Sequence, residues 1–335
     1  MDLTLESPLD MHLHLREGDM LDLTVPITAN HFAAAVIMPN LVVPVDSLDY
    51  VRNYRQAIEF YCHDKNFTPY MTLFFKNYSR RELEECRQHI LGIKLYPAGI
   101  TTQSEAGVSD FSTIENTLTD MQDLGIPLLV HGESNGFVLD REHEFLDVYR
   151  SLASRFPGLH IVMEHITTAD AVQLLDEYEN LSATVTLHHL MITLDDVIGD
   201  LLRPDLFCKP VAKTPRDKKA LREAVFSGHP KLMFGSDSAP HPRHKKECIG
   251  CAAGVFSAPV ALPLLAQIFE DEGCLELLQG FVNTNACRRY RITPPAKHVT
   301  LSQSPWQVPH YYKDVSPFFA GETIRWCINS SSSRG

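Results

Sequence analysis

His12-x-His14, Lys94, His131, His165 and Asp237 are the residues of this chain whose types and spacing could do chemistry. Neutral imidazole and carboxylate suit zinc, and four histidines with an aspartate and a lysine in one place would make a metal site. The two-residue spacing of His12 and His14 puts both imidazoles on one face of an extended strand. Lys94 sits in the apolar run Gly92-Ile93-Lys94-Leu95-Tyr96, where a buried unpaired ammonium would be costly. Taken singly, each residue has a plainer reading: a histidine pair on a strand is often incidental, and a lone core histidine is usually just hydrogen-bonded. The metal reading rests on all of them falling at the ends of predicted strands.

Eight short, β-rich apolar runs are expected to position them, over residues 9–15, 33–39, 70–75, 90–96, 127–131, 160–165, 183–188 and 231–235. Several are apolar on both sides, as parallel strands covered on both faces must be. Helical patterns lie between them at 48–61, 80–90, 111–124, 142–155, 169–178 and 215–225, the first behind the capping pair Asp46-Ser47. A further helix is expected from 258, with Ser257 as its cap. Strands alternating with helices predict an α/β fold, a (β/α)8 TIM barrel, with the candidate residues gathered at its C-terminal mouth. The chain reads as one domain over 1–335: a barrel over about 7–280 and a short C-terminal extension over about 281–335. The last residues, with the serine run 330–333, are expected to be flexible. A doubly wound open sheet is the competitor, but neither GxGxxG nor GxxxxGK[ST] occurs.

Composition narrows the partners. The 335 residues are 44% hydrophobic and 21% charged, with a formal net charge of −12, which excludes disorder and argues against nucleic acid or an anionic membrane as partner. An anionic ligand would need a local cationic pocket. No apolar run reaches the roughly 18 residues of a membrane helix, and the N-terminus lacks a signal-peptide layout. Eight cysteines are too sparse for a disulfide scaffold, and Cys248-Ile249-Gly250-Cys251, the lone CxxC, has no second ligand pair nearby. A soluble cytoplasmic protein with ordinary thiols is expected.

The order His12-x-His14, Lys94, His131, His165, Asp237 resembles the binuclear metal-dependent amidohydrolase superfamily. More closely, the chain resembles the short, bacterial-type dihydroorotases over most of its length. The supporting stretches are Asp10-Met11-His12-Leu13-His14-Leu15-Arg16, Met38-Pro39-Asn40, Gly92-Ile93-Lys94-Leu95-Tyr96-Pro97, Val130-His131-Gly132-Glu133, Met163-Glu164-His165-Ile166-Thr167 and Gly235-Ser236-Asp237-Ser238-Ala239-Pro240-His241. The resemblance implies two zinc ions per subunit, bridged by a hydroxide and by Lys94 carboxylated on its side-chain nitrogen (N6-carboxylysine). His12, His14, Lys94 and Asp237 would hold one metal, and His131, His165 and the same Lys94 the other.

The implied reaction is the reversible hydrolysis of (S)-dihydroorotate to N-carbamoyl-L-aspartate in de novo pyrimidine biosynthesis. The bridging hydroxide attacks the ring carbonyl, and Asp237 acts as general base and then general acid toward the ring nitrogen. Arg16, Asn40 and His241 would bind the substrate carboxylate, Arg16 by a bidentate fork. Backbone groups of Lys209 and Ala253 would hold the pyrimidine ring, and His131 would touch the substrate as well. Most members of the family carry an apolar residue where Lys209 stands, a change that a backbone contact tolerates. Thr101 and Thr102, in the polar loop 99–107, would reach the ligand from a closing lid. Six ligands fill both sites, so His188 and His189 at the seventh strand are read as supporting residues, and the run 243–246 as a solvated face. A homodimer is implied. The alternatives are another cyclic-amide hydrolase, such as a hydantoinase or allantoinase, and a catalytically inactive scaffold. The former commonly build a β-sandwich from sequence ahead of the HxH strand, for which the eleven residues before His12 are too few, and the latter would be expected to have lost ligands.

Overall fold

The computed structural model describes residues 1–62, 66–99, 107–108 and 111–329. Eight strands, β2 (Leu9–Leu13), β3 (Ala34–Ile37), β4 (Thr68–Phe74), β5 (Gly92–Leu95), β6 (Leu128–Val130), β7 (Ile161–Met163), β8 (Leu181–Val185) and β9 (Leu232–Phe234), pair in sequence order, every neighbour parallel. Helices cross over between them, so the expected (β/α)8 architecture is present. The structure ends most strands one to three residues short of the sequence expectation, because the terminal residues turn into the mouth. The run 183–188 is the clearest correction: β8 stops at Val185, and Thr186 caps a short helix, Leu187–Met191.

Strand parity separates two apolar layers. Leu9, Met11, Ala34, Val36, Leu129, Val162 and Met233 cluster together inside the barrel, with Ala286 and Tyr290 packed against them. Their neighbours Ala35, Ile37, Leu128, Val130, Ile161, Met163, Leu232 and Phe234 belong to the larger core under the helices. Two residues beyond three of these inner positions lies a residue of the mouth: His131 after Leu129, Glu164 after Val162, Gly235 after Met233. The packed interior is thus the floor on which the mouth is built. Strand β2 departs from this parity. Leu13 belongs to the outer core, and the β2–β3 register shifts between Asp10 and Leu13. Such an irregularity re-aims side chains, and here it turns His12 and His14 together toward the mouth.

The barrel closes between β9 and β2 through the site itself. Asp237 N donates to His12 O at 2.7 Å, His14 N to Ser238 O at 3.0 Å, and Ser236 N to Asp10 Oδ1 at 2.8 Å. A second sheet was not expected from the sequence. Strand β1 (Asp2–Glu6) pairs antiparallel with β10 (His298–Gln307), which pairs with β11 (Thr323–Ile328). The residues before His12 therefore do form sheet, but with the C-terminal extension. Trp326 anchors it, fully buried, its Nε1 donating to Glu270 Oε2 at 3.0 Å. The expected helix after β9 runs Ala261–Asp271 behind a 3-10 turn, and Ser257 does not cap it: its hydroxyl donates to Ser236 O at 3.2 Å. Among the described residues no helix is long and apolar enough to cross a membrane. The serine run 330–333 lies outside the described residues.

Candidate metal centre and substrate pocket

A cavity of about 40 Å3 opens at the C-terminal mouth, and His12, His14, His131, His165 and Asp237 all line it. Two carboxylates that the sequence reading quoted without assigning a role orient the histidines. His12 Nδ1 meets Glu164 Oε2 at 2.7 Å, and the same oxygen accepts from Thr184 Oγ1 at 2.6 Å. That bond leaves His12 Nε2 facing Asp237 Oδ1 at 3.5 Å. His131 Nε2 meets Glu133 Oε2 at 2.7 Å, leaving Nδ1 3.1 Å from His165 Nε2. Histidine held by a carboxylate on its far nitrogen is the usual support for a metal ligand. Glu133 and Glu164 could have been found as the acids beside His131 and His165 at two strand ends.

The electrostatics favour neutral imidazoles. Burial, then the charge of Lys94, pushes His12 well below the ordinary imidazole value; burial, then His131 and Lys94, does the same to His165. Burial alone would raise Asp237, but the His14 hydrogen bond at 3.0 Å and the charges around it hold its carboxyl at about 2. Glu164 is pushed up to about 7 by burial, against the pull of Lys94.

Lys94 is the most demanding residue. It is fully buried, its Nζ has no hydrogen-bond partner among the described residues, and the Tyr96 ring lies 5.1 Å away. Burial lowers its pKa to about 8, so the neutral amine is within reach. A neutral amine can take up CO2 to become a carbamate, an anion that suits a place between two cations. Convergent imidazole lone pairs, a low-pKa aspartate and this orphaned amine fit a binuclear metal group. His12, His14 and Asp237 bring one ligand atom each within 4.8 Å of one another.

Backbone geometry completes the constellation. His165 (φ 41°), Asp237 (φ 43°) and Arg16 (φ 65°) all lie in the left-handed region, where a non-glycine residue is strained and such strain clusters at functional sites. Gly235 is required by close approach: a Cβ there would lie 2.9 Å from Cβ of both His12 and Thr184.

Of the residues expected around the substrate, Arg16, Asn40, Lys209 and Ala253 also line the cavity, whereas His241 lines a neighbouring one. Arg16 Nε donates to Pro240 O at 3.1 Å and its Nη2 to His241 Nε2 at 2.9 Å. His241 Nε2 is also 3.1 Å from Ala253 O. Because guanidinium only donates, one His241 tautomer accepts from Arg16 and the other donates to Ala253. Tyr96, two residues past Lys94, joins the lining and was not assigned from the sequence. Thr101 and Thr102 lie outside the described residues.

One reading of a basic stretch changes, and one histidine-rich stretch is filled in. Lys246 is buried rather than on a solvated face, while Arg243, His244 and Lys245 are exposed as expected. His188, His189 and Cys208 form a second group close enough to meet a metal. The His189 nitrogens, however, already face Thr186 Oγ1 at 2.9 Å and Pro210 O at 3.0 Å, which supports a structural role for His189, whereas neither ring nitrogen of buried His188 has a hydrogen-bond partner among the described residues.

No family model matches the chain. Among curated proteins, the dihydroorotase of Helicobacter hepaticus is 42% identical over 342 residues, covering 98% of this chain and 98% of that protein. Among solved structures, a dihydroorotase from Campylobacter jejuni superposes with a TM-score of 0.94 at 53% identity, covering 98% of this chain and 97% of that one. A dihydroorotase from Saccharomyces cerevisiae, solved in complex with 5-fluoroorotic acid, gives 0.92 at 36% identity with 98% of both chains covered.

Proposed function

The chain belongs to the dihydroorotase family of metal-dependent cyclic amidohydrolases, and from that premise we propose how its own residues hydrolyse (S)-dihydroorotate to N-carbamoyl-L-aspartate, and reverse the reaction, in pyrimidine biosynthesis. The observation that carries the reading is Lys94, wholly buried and without a hydrogen-bond partner among the described residues, in a ring of groups suited to metal. Two zinc ions would be held by His12, His14, Asp237 and carboxylated Lys94 on one side, and by His131, His165 and the same Lys94 on the other. When bound, the pair supplies Lewis acidity toward the ring carbonyl and an activated water as nucleophile.

The remaining work falls to the protein. Arg16 forks onto the substrate carboxylate, with Asn40 and His241 beside it. The arriving carboxylate takes over the guanidinium donor that now meets His241 Nε2. Main-chain groups of Lys209 and Ala253 hold the ring against these contacts, and His131 touches it from the metal side. Asp237 moves the proton. Its Oδ1 is turned toward His14 and His12, the side on which a metal would be held, which leaves Oδ2 to take a proton from the nucleophile and deliver it to the departing ring nitrogen. The His14 hydrogen bond and the charges around it hold the Asp237 carboxyl below the usual carboxylate range, so it is ionised at neutral pH. Thr101 and Thr102, expected from the resemblance to reach the ligand, lie outside the described residues.

All eight cysteines are free, which supports a reducing cytoplasmic setting. Exposed Ile198, Leu201, Leu202 and Ile249 supply an apolar face through which two copies would pair into a homodimer.

The test is dihydroorotate ring opening by purified protein with bound metal counted in the same sample. Turnover that vanishes on chelation and returns with zinc and bicarbonate is the expected result. Two bound metals without turnover of dihydroorotate would move the substrate to a hydantoin-like amide. Neither metal nor turnover after reconstitution would leave the scaffold reading.

A further inference from the structure

Lys246 ends the short helix Arg243–Lys246, is 8% exposed, and has no carboxylate within ion-pair reach among the described residues. Its ammonium instead donates to three main-chain carbonyls: Phe207 O at 2.9 Å, Ala252 O at 2.9 Å and Gly254 O at 2.8 Å. An ammonium has three protons, so all are used. The three carbonyls are not scattered. Two flank Ala253, and the third lies two residues before Lys209, with Gly254 N also donating to Phe207 O at 2.8 Å. Lys209 and Ala253 are the two residues whose backbone groups hold the pyrimidine ring in the function proposed above, on which this inference rests.

We propose that Lys246 is a positioning residue for ring binding: its ammonium clips the 207–209 segment to the 252–254 segment and fixes the distance between the two main-chain contacts with the pyrimidine. The clip is needed because neither segment belongs to a strand. Gly254 has φ 152°, and a Cβ there would lie 2.3 Å from Ala239 O, so the chain passes close against the β9 exit with no side chain to wedge it. Burial lowers the pKa of Lys246, consistent with an ammonium set among carbonyls rather than in water. Replacement by methionine keeps an unbranched stem of similar length and leaves three carbonyls without that donor. Arginine keeps the charge, but its planar fork cannot reach three carbonyls arranged around one nitrogen.

The experiment compares zinc-loaded full-length wild type, Lys246→Met, Lys246→Arg and the exposed-neighbour control Lys245→Met for KM, kcat, bound zinc and Tm. For Lys246→Met the expected result is a rise in KM for dihydroorotate of about tenfold or more with kcat within about threefold and zinc content unchanged, since displaced binding groups act mainly on substrate capture. Lys246→Arg should fall between Met and wild type, and Lys245→Met should match wild type. Wild-type KM in Lys246→Met and Lys246→Arg alongside a lowered Tm would make the residue merely structural and overturn the proposal. A loss of kcat together with zinc would overturn it too, because the residue would then act through the metal centre. If Lys246→Met does not fold, Lys246→Arg alone decides by the same KM against kcat comparison. Absence of turnover in wild type would instead sink the substrate reading itself, and this inference with it.

Discussion

Glu164→Gln isolates the part the supporting carboxylates play. One oxygen of Glu164 accepts from both His12 Nδ1 at 2.7 Å and Thr184 Oγ1 at 2.6 Å, and the residue is buried. Glutamine preserves the shape and an acceptor, but it removes the charge that fixes the His12 tautomer. Its amide NH2 would replace Glu164 Oε1, which has no hydrogen-bond partner among the described residues, so a buried donor is left unsatisfied at a cost of about 1–3 kcal/mol. Loss of such a partner typically weakens metal affinity by about 10–100-fold, equivalent to about 1.4–2.8 kcal/mol. The assay is zinc affinity by competition with a chromophoric chelator at fixed pH, with Tm measured on the same samples to show that the variant folds. Glu133→Gln, which loosens His131 in the same way, should weaken the other zinc step. Two tight zinc ions with affinities within about twofold of wild type in both variants would refute the idea that these carboxylates hold the ligands in register.

Other outcomes follow from the same geometry. Arg16→Lys should raise KM for dihydroorotate by about 10–100-fold with bound zinc unchanged, since lysine cannot form the bidentate fork; steady-state kinetics with metal analysis checks it. Gly235→Ala pushes a methyl against Cβ of His12 and Thr184 and should cost about 1–3 kcal/mol of stability, read by denaturant unfolding, with reduced zinc retention. Thr101→Ala combined with Thr102→Ala should lower turnover at unchanged zinc content, and equal turnover would remove the lid. Burial holds His160 at about 3 in the folded state against about 6.5 unfolded. As pH falls below 6.5 the unfolded chain takes up a proton that the native state refuses, so stability present at pH 7 is lost through the window from 6.5 toward 3. At pH 5 that amounts to about 2 kcal/mol, and His160→Gln should remove that share of the pH 7 to pH 5 loss in urea unfolding at matched zinc.

The barrel strands were legible because buried parallel strands are apolar on both faces, and Ala34–Ile37 or Leu128–Val130 read as nothing else. That the candidate ligands converge was legible because chemistry in a barrel gathers where strands end, and His131, His165 and Asp237 each sit just beyond one. What escaped depends on long-range packing. The sheet of β1, β10 and β11 was missed since β1 is mostly exposed and β10 contains Pro305 beside a register shift. The helix Leu21–His31 carries Pro26 inside and little amphipathic contrast, so it gave no periodic signal. Lys246 sits in a basic run that looks solvated, and only the fold shows that its ammonium turns inward among carbonyls. The register shift in β2 between Asp10 and Leu13 likewise leaves no mark in the sequence.

The seam between β2 and β9 bears on how the chain comes off the ribosome. His12 and His14 are made before the rest of the barrel, whereas Asp237, whose amide bonds to His12 O, is made last among the six candidate ligands. The histidine pair therefore waits on a nascent chain through seven further strands before its aspartate arrives, and β1 waits longer still for β10. A prematurely terminated product would carry HxH without its carboxylate and could capture metal only loosely. Tight metal retention would then require a polypeptide completed through its last barrel strand.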